Sequence, residues 1–425
     1  MSEAVRNWAG NVEFRAARVH RPASLEELRQ VVAGAEAVRV LGTGHSFNRI
    51  ADTSGDLVLL HDLPASVEID AAAGTATVGA GMRLADGAAR LHAAGYALAN
   101  LPSLPHISFA GACATGTHGS GNGNQNLAAF VRGMRLVDAS GDVVELRRGV
   151  DEDFAGAPVN LGALGVVTHL TVDVQPTFDV AQYVYEGVAL DSVIEGHEEV
   201  YGSAYSVSTF TNWASGRAAV WLKLRAGEGG GDRDGFVKPR GSWLGGRLAD
   251  HAAHPVPGMP VENCTEQLGV PGPWHERLPH FRPEFTPSNG AEIQSEFFVP
   301  RAAAVSAFSA MRSLGERMAS VLQVSEIRSI AADDLWLSPA YERDCFALHF
   351  TWVDDRAAVT PVLAAIEDAL LPLGARPHWG KLFVSGPEAA LTTYERVGDF
   401  RAMLERRDPG GKFRNEFVDR LCSTG

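Results

Sequence analysis

"SLPHISFAGACATGTHGSGNGNQN", Ser103 to Asn126, is built almost wholly of glycine, alanine, serine, threonine, asparagine and histidine. Such a run cannot build a core alone. It can offer many backbone N–H groups and hydroxyls to a polar ligand, and its small residues let that ligand approach the main chain. Leu104, Ile107, Phe109, Ala112 and Ala114 are interleaved to anchor it, which argues against a long loose loop. Upstream, "VRVLGTGHSFNRI" (Val38 to Ile50) carries an apolar strand into Gly42-Thr43-Gly44-His45-Ser46. Two glycine-rich loops about 60 residues apart suit one long ligand with phosphates, the first taking the pyrophosphate and the second lining the rest.

The segments around these loops alternate short strands and helices with sharp turns. "RPASLEELRQVVAGA" opens with a helix, Ser24 as N-cap and Glu27 closing a capping box, with Leu25, Leu28, Val31 and Val32 on one face. "SVEIDAAAGTATVGAG" reads as a hairpin turning at Gly74, and "GMRLVDASGDVVELRRG" as another turning at Ser140-Gly141-Asp142. "MRLADGAARLHAAGYAL" is a helix ending near Gly95. This is not the regular strand–helix alternation of a doubly wound sheet. The first loop lacks the third glycine of G-x-G-x-x-G, and no G-x-x-x-x-G-K-[ST] occurs, so a Rossmann or P-loop nucleotide site is not expected. From Phe178 onward, strands such as "AAVWLKLRAG" and "GAEIQSEFFVP" alternate with helices such as "RAAAVSAFSAMRSLGERMA". "GEGGGDRDG" (Gly227 to Gly235) reads as a surface loop.

The 425 residues suggest two domains. Apolar content of 45% and charged content of 21% describe a globular protein. Lys+Arg 37 against Asp+Glu 51 gives −14, which argues against a nucleic-acid or anionic-membrane partner but not against a small polyanion. Cys113, Cys264, Cys345 and Cys422 form no C-x-x-C pair and read as buried free thiols. "MSEAVRNWAG" shows no signal sequence and no apolar run reaches ~18 residues, so a cytoplasmic protein is expected; it is taken as a monomer. His275 and His280 in "GPWHERLPH" lack a metal-site pattern, and no metal is expected. No G-x-S-x-G elbow supports a serine hydrolase. Glu26-Glu27 and Asp333-Asp334 read as solvated faces.

"LGTGHSFN", "SLPHISFAGACATGTHGSG" and "LGALGVVT" together resemble the FAD-binding domain of the vanillyl-alcohol oxidase superfamily, and within it the alditol oxidases. The resemblance continues through "AYSVSTFTNW", "HPVPGMP", "NCTEQLGVPGPWHERLPHFRPEFTPS", "QVSEIRSIAADDLWLSPAY", "RPHWGK" and "DPGGKF", nearly the whole chain. It implies an α+β, two-domain fold: residues 1–177, completed by 378–425, bind FAD, and 178–377 form a cap with a large antiparallel sheet flanked by helices. It implies that FAD is bonded covalently to His45, and a neutral imidazole is a suitable nucleophile near pH 7. It assigns FAD contacts to Val40, Leu41, Gly42, Thr43, Gly44, His45, Ser46, Ser103, Ser108, Gly111, Thr115, Gly116, Thr117, His118, Val167 and His378. Pro102 departs from the family's pattern and stiffens the backbone before Ser103.

Period two puts Glu326 and Arg328 on one face of "QVSEIRS", and His349 and Thr351 on one face of "FALHFTWV". By pattern alone these pairs fit a solvated sheet face as well as a site. The resemblance assigns them, with Lys381 of "HWGK" and Ser103, to a substrate pocket. These residue types suit a polyol, whose hydroxyls both donate and accept. The activity implied is oxidation of an alditol's terminal CH2–OH (xylitol, sorbitol) to the aldose, with O2 reduced to hydrogen peroxide. Hydride would pass from C1 to flavin N5 while Arg328 and Lys381 stabilise charge on the oxygen and His349 supports the pocket. The alternatives are an aldonolactone oxidase of the gulono- or arabinonolactone type, a flavin dehydrogenase using another electron acceptor, or a non-catalytic sugar-binding protein.

Overall fold

Three parallel strands, Arg18–His20, Asp56–Leu59 and Val38–Leu41 in that spatial order, carry the first glycine loop at their edge. The computed structural model describes residues 4–227, 239–285 and 292–422. The expected helix spans Leu25–Gly34; Ser24 Oγ accepts from Glu27 N–H at 3.2 Å, and the Glu27 carboxylate accepts from Ala23 N–H at 2.9 Å. Leu28 and Val32 are buried, whereas Leu25, at the helix start, is exposed. Five antiparallel strands follow in the order Val67–Asp70, Thr75–Gly79, Val166–Asp173, Val131–Val137, Val143–Arg147. Both expected hairpins are there, and Gly74 (φ 66) and Gly141 (φ 85) hold left-handed turn positions that disfavour any Cβ.

A ten-stranded sheet fills the second half. Its central strands run antiparallel in the order Asp179–Ala189, Arg217–Arg225, Ser206–Thr211, Leu322–Ile330, Cys345–Val353, Glu292–Pro300. One face is apolar: Ile327, Leu348, Phe350, Trp352 and Phe297 pack with Phe308, Met311, Ile366 and Leu370 of the helices Ala304–Met318 and Arg356–Leu370. Alternation along each strand leaves the polar partners on the opposite face. The architecture is α+β, as the sequence implied. The loop read at Gly227–Gly235 lies outside the described residues from 228 onward.

The C-terminal segment returns to the first half. Trp379, Tyr394, Phe400, Phe413, Val418 and Leu421 share a core with Leu28, Val32 and Val166. Lys412 Nζ donates to the carbonyls of Val32 (2.8 Å) and Ala139 (2.7 Å). One expectation fails here. Asp333 is not a solvated carboxylate; it is buried and accepts from Asn126 Nδ2 and Ser338 Oγ, each at 2.6 Å. Asn126 comes from the far end of the second glycine loop, a partner that the local pair Asp333-Asp334 does not reveal. Asp334 does face outward, paired with Arg148 at 2.6 Å. The four cysteines are free; Cys113, Cys264 and Cys345 are buried and Cys422 is half-buried.

Candidate active site

The two glycine loops meet at Ser108. A Cβ on Gly42 would collide with Ser108 Oγ, and one on Gly111 would lie 2.7 Å from it. Ser108 N–H donates to Thr43 Oγ1 at 3.2 Å, and Thr43 Oγ1 lies 3.0 Å from His45 Nδ1. Among the described residues no acceptor meets the backbone N–H groups of Thr43, Gly44, His45 or Ser46. Four successive free amides beside close-packed glycines fit a phosphate-bearing cofactor. Burial, reinforced by His106, lowers the His45 pKa to about 4, so the ring is neutral at pH 7.

Two residues that the sequence reading passed over support this loop. Trp8 stacks on the His45 ring with centroids 5.1 Å apart and planes at 20°, and Trp8 N–H donates to Gly44 O at 2.8 Å. Asn7 Nδ2 donates to Ser46 O at 2.9 Å. The signal was "NWAG", a glycine turn next to a large aromatic, but nothing local pairs it with position 45. The loop also carries the C-terminal segment: Asn48 Nδ2 donates to Trp379 O (2.7 Å) and Lys381 O (2.8 Å), and Phe47 N–H to Gly380 O (2.7 Å).

A single cavity of about 510 Å³ joins the loops to the polar face of the large sheet. It is lined by every residue the sequence assigned to cofactor or substrate except Gly116. Gly116 instead makes a left-handed turn (φ 71) against Pro339, so its part is to shape the loop. Pro102 lines the cavity beside Ser103. Glu326 and His349 are direct cross-strand partners, and Thr351 pairs with Val324. All four polar positions are buried, which removes the solvated-face alternative.

The group the sequence reading missed is Glu296. It is 1% exposed and receives three nitrogens: Arg328 Nη2 at 2.7 Å, Lys381 Nζ at 2.8 Å and His118 Nε2 at 3.2 Å. Burial would raise its pKa, but Lys381, His118 and Arg328 outweigh that and hold it well below the usual carboxylate range. "QSEFF" reads as an ordinary strand, and only the pairing of Glu296 with His349 brings it here. Arg328 Nη1 also donates to Ser103 Oγ at 3.3 Å. Glu326 accepts from His280 Nε2 at 2.8 Å, and its other oxygen lies 3.5 Å from Ser103 Oγ. Burial opposes ionisation of Glu326 as well, yet Arg328 and His280 keep it ionised. His280, read only as half of an unconvincing metal pair, is therefore part of the site; among the described residues no metal-ligand cluster occurs.

Burial lowers the pKa of Lys381, against the pull of Glu296. It lowers His349 well below its usual value, with Lys381 adding, and His378 to about 3. His349 Nε2 lies 3.1 Å from Gln294 Oε1. The site thus sets two buried carboxylates and two cations around neutral histidines. Glu296 faces both cations, and Glu326 faces Arg328 as well at 3.6 Å, so the charges of the cluster balance.

Residues 16–147 match the FAD binding domain family, and residues 290–421 match the D-arabinono-1,4-lactone oxidase family. Among solved structures, cholesterol oxidase from B. sterolicum has a TM-score of 0.77 at 15% identity, covering 99% of this chain and 96% of that one. Chitooligosaccharide oxidase has a TM-score of 0.73 at 14% identity, covering 97% and 93%. These show the fold. The chain is 27% identical over 434 residues to L-gulono-1,4-lactone dehydrogenase of Mycobacterium tuberculosis, covering 99% of each. It is 50% identical over 422 residues to an alditol oxidase from a Streptomyces species, covering 98% of this chain and 99% of that one. Identity of that extent, over nearly the whole length of both chains, makes this chain a member of the alditol oxidase family of FAD-binding oxidoreductases.

Proposed function

We propose that this protein oxidises the terminal primary hydroxyl of an alditol such as xylitol or sorbitol to the aldose, with O2 as acceptor and hydrogen peroxide as product, on an FAD bonded to His45. The observation that carries this reading is the continuous cavity from the free amides of the His45 loop to Glu326, Arg328, Thr351 and Lys381. FAD, when bound, supplies the hydride acceptor and returns the electrons to O2. The main-chain N–H groups of Thr43 to Ser46 would hold its phosphates. The neutral His45 ring, clamped between Thr43 and Trp8, presents a nitrogen lone pair for attachment.

The polar wall of the cavity holds the polyol. Glu326 accepts from its hydroxyls, and Ser103 and Thr351 reach others. Arg328 and Lys381 donate to the reacting oxygen and stabilise the negative charge that builds on it. Glu296 holds both donors in place from behind. A buried polar wall of this kind discriminates against analogues lacking hydroxyls, which would strand its groups unpaired. Free thiols suit a reducing compartment, and we assign the protein to the cytoplasm. Among the described residues no helix is long and apolar enough to cross a membrane.

The match of residues 290–421 to a lactone oxidase family supports a second reading, oxidation of an aldono-1,4-lactone. Peroxide release with xylitol, sorbitol and L-gulono-1,4-lactone separates the two. We expect fast turnover of the alditols, and turnover of the lactone alone overturns the proposal. Flavin should remain with the chain after acid precipitation and be lost from His45→Ala; free flavin in the wild-type supernatant overturns the covalent link.

A further inference from the structure

Lys223 lies on the strand Arg217–Arg225, fully buried, on the face of the sheet that carries the site. Its Nζ donates to three successive carbonyls: Arg277 O at 2.9 Å, Leu278 O, and Pro279 O at 3.0 Å. An ammonium has three donors, and this triplet of acceptors uses all of them. Nothing in the proposed reaction uses the lysine directly, so a buried cation is being spent on a loop.

The residue after that loop segment is His280. Its N–H donates to Ser103 O at 3.0 Å, and its Nε2 meets Glu326 Oε1 at 2.8 Å, with Ser208 Oγ at 3.3 Å. Phe210 and Trp221 face the ring edge-on at 5.3 and 5.2 Å. Nδ1 is buried with no partner among the described residues. Burial, and after it Lys223, lowers the His280 pKa to about 4. The ring therefore carries one proton, and the carboxylate fixes it on Nε2. Burial also brings the Lys223 pKa down to about 7, which Glu326 opposes, and three acceptors favour the charged form.

We infer that Lys223 is a positioning residue for substrate binding: by gathering the carbonyls of 277–279 it sets the His280 imidazole against Glu326 and the His280 N–H against Ser103. One oxygen of Glu326 is then committed to His280 and the other is aimed into the cavity. This inference deepens the polyol reading and rests on it. Removing the ammonium leaves three buried carbonyls unsatisfied. The loop then relaxes, and Glu326 and Ser103 lose their outer support while Arg328 and Lys381 keep theirs.

The test compares wild type, Lys223→Met, His280→Gln and the double variant, with flavin content per chain as the folding control and xylitol as substrate. Lys223→Met should raise KM about tenfold or more while kcat changes by less than about threefold, the loss of one charged hydrogen-bond set. The double variant should be no worse than His280→Gln, because both act along one chain of contacts. A flavin-loaded Lys223→Met with wild-type KM overturns the inference, as do losses that multiply in the double variant. If Lys223→Met does not accumulate, Lys223→Arg replaces the tetrahedral donors by a planar fork and carries the same expectations. Imidazole ¹⁵N spectra, with His280 assigned from the His280→Gln difference, read the tautomer without turnover: a single Nε2–H form in wild type and mixed forms in Lys223→Met. An unchanged His280 signal overturns the inference, whereas a wild type inert toward every alditol strikes only the reading of function.

Discussion

Glu296 decides the chemistry of the site although it need not touch the substrate. A carboxylate that meets an arginine, a lysine and a histidine nitrogen lets two cations share a small volume, with Glu326 as the second counter-charge on Arg328. Glu296→Gln should cost about 3–5 kcal/mol of stability, since it takes the paired carboxylate from buried Lys381 and one of two from buried Arg328. Glu296 also raises the Lys381 pKa against burial, so its loss lowers that pKa further. Lys381 supplies positive charge to the reacting oxygen only when protonated, and the alkaline limb of kcat should therefore move to lower pH. Thermal unfolding and a pH–rate profile check both; an unmoved limb contradicts the role. Lys381→Met should cost about 10²–10³ in turnover with flavin still bound, the usual loss for one charged donor at a developing oxyanion. Near-normal turnover in that variant would mean Arg328 suffices alone.

At the scale of elements, the active site is a junction between two loops and three strands. The loops touch at Gly42 and Ser108, where no side chain fits between them. Gly42→Ala should push the loops apart and yield protein with little flavin, and Ser108→Gly in the same chain should restore part of it; absorbance per chain measures both. If Gly42→Ala alone binds flavin normally, the close approach does not shape the cofactor site. The strands Leu322–Ile330, Cys345–Val353 and Glu292–Pro300 contribute by register, because the pairing of Glu326 and Glu296 with His349 stacks the polar groups in one row. A slip of one residue would send that row into the helix-covered core.

For the whole molecule, burial of so many ionisable groups sets the response to acid. His45 and His280 have pKa values of about 4, and His378 about 3, against 6.5 when unfolded. The unfolded chain then binds more protons between those limits, so stability falls as pH drops from about 6.5 toward 4, by about 1.4 kcal/mol per group and pH unit. Glu296 and Glu326, with lowered pKa values, add to the loss below about pH 4.5. The unfolding temperature of the flavin-free protein should decline steeply from pH 6.5 to 4; a flat profile would mean the histidines titrate normally. Much of this protein was legible in its sequence. Period-two alternation put Glu326 with Arg328 and His349 with Thr351 on shared faces, glycine spacing marked both loops, and Ser24, Gly74 and Gly141 marked a cap and two turns, because each is a rule about near neighbours in the chain. What the sequence could not determine lies between distant segments. Trp8 over His45, Glu296 beneath Arg328 and Lys381, His280 on Glu326, and Asp333 sealed by Asn126 each depend on which strands pair and which loops dock. Those choices are made by burial of the apolar faces, and a polar residue acquires its partner only once that packing has closed around it.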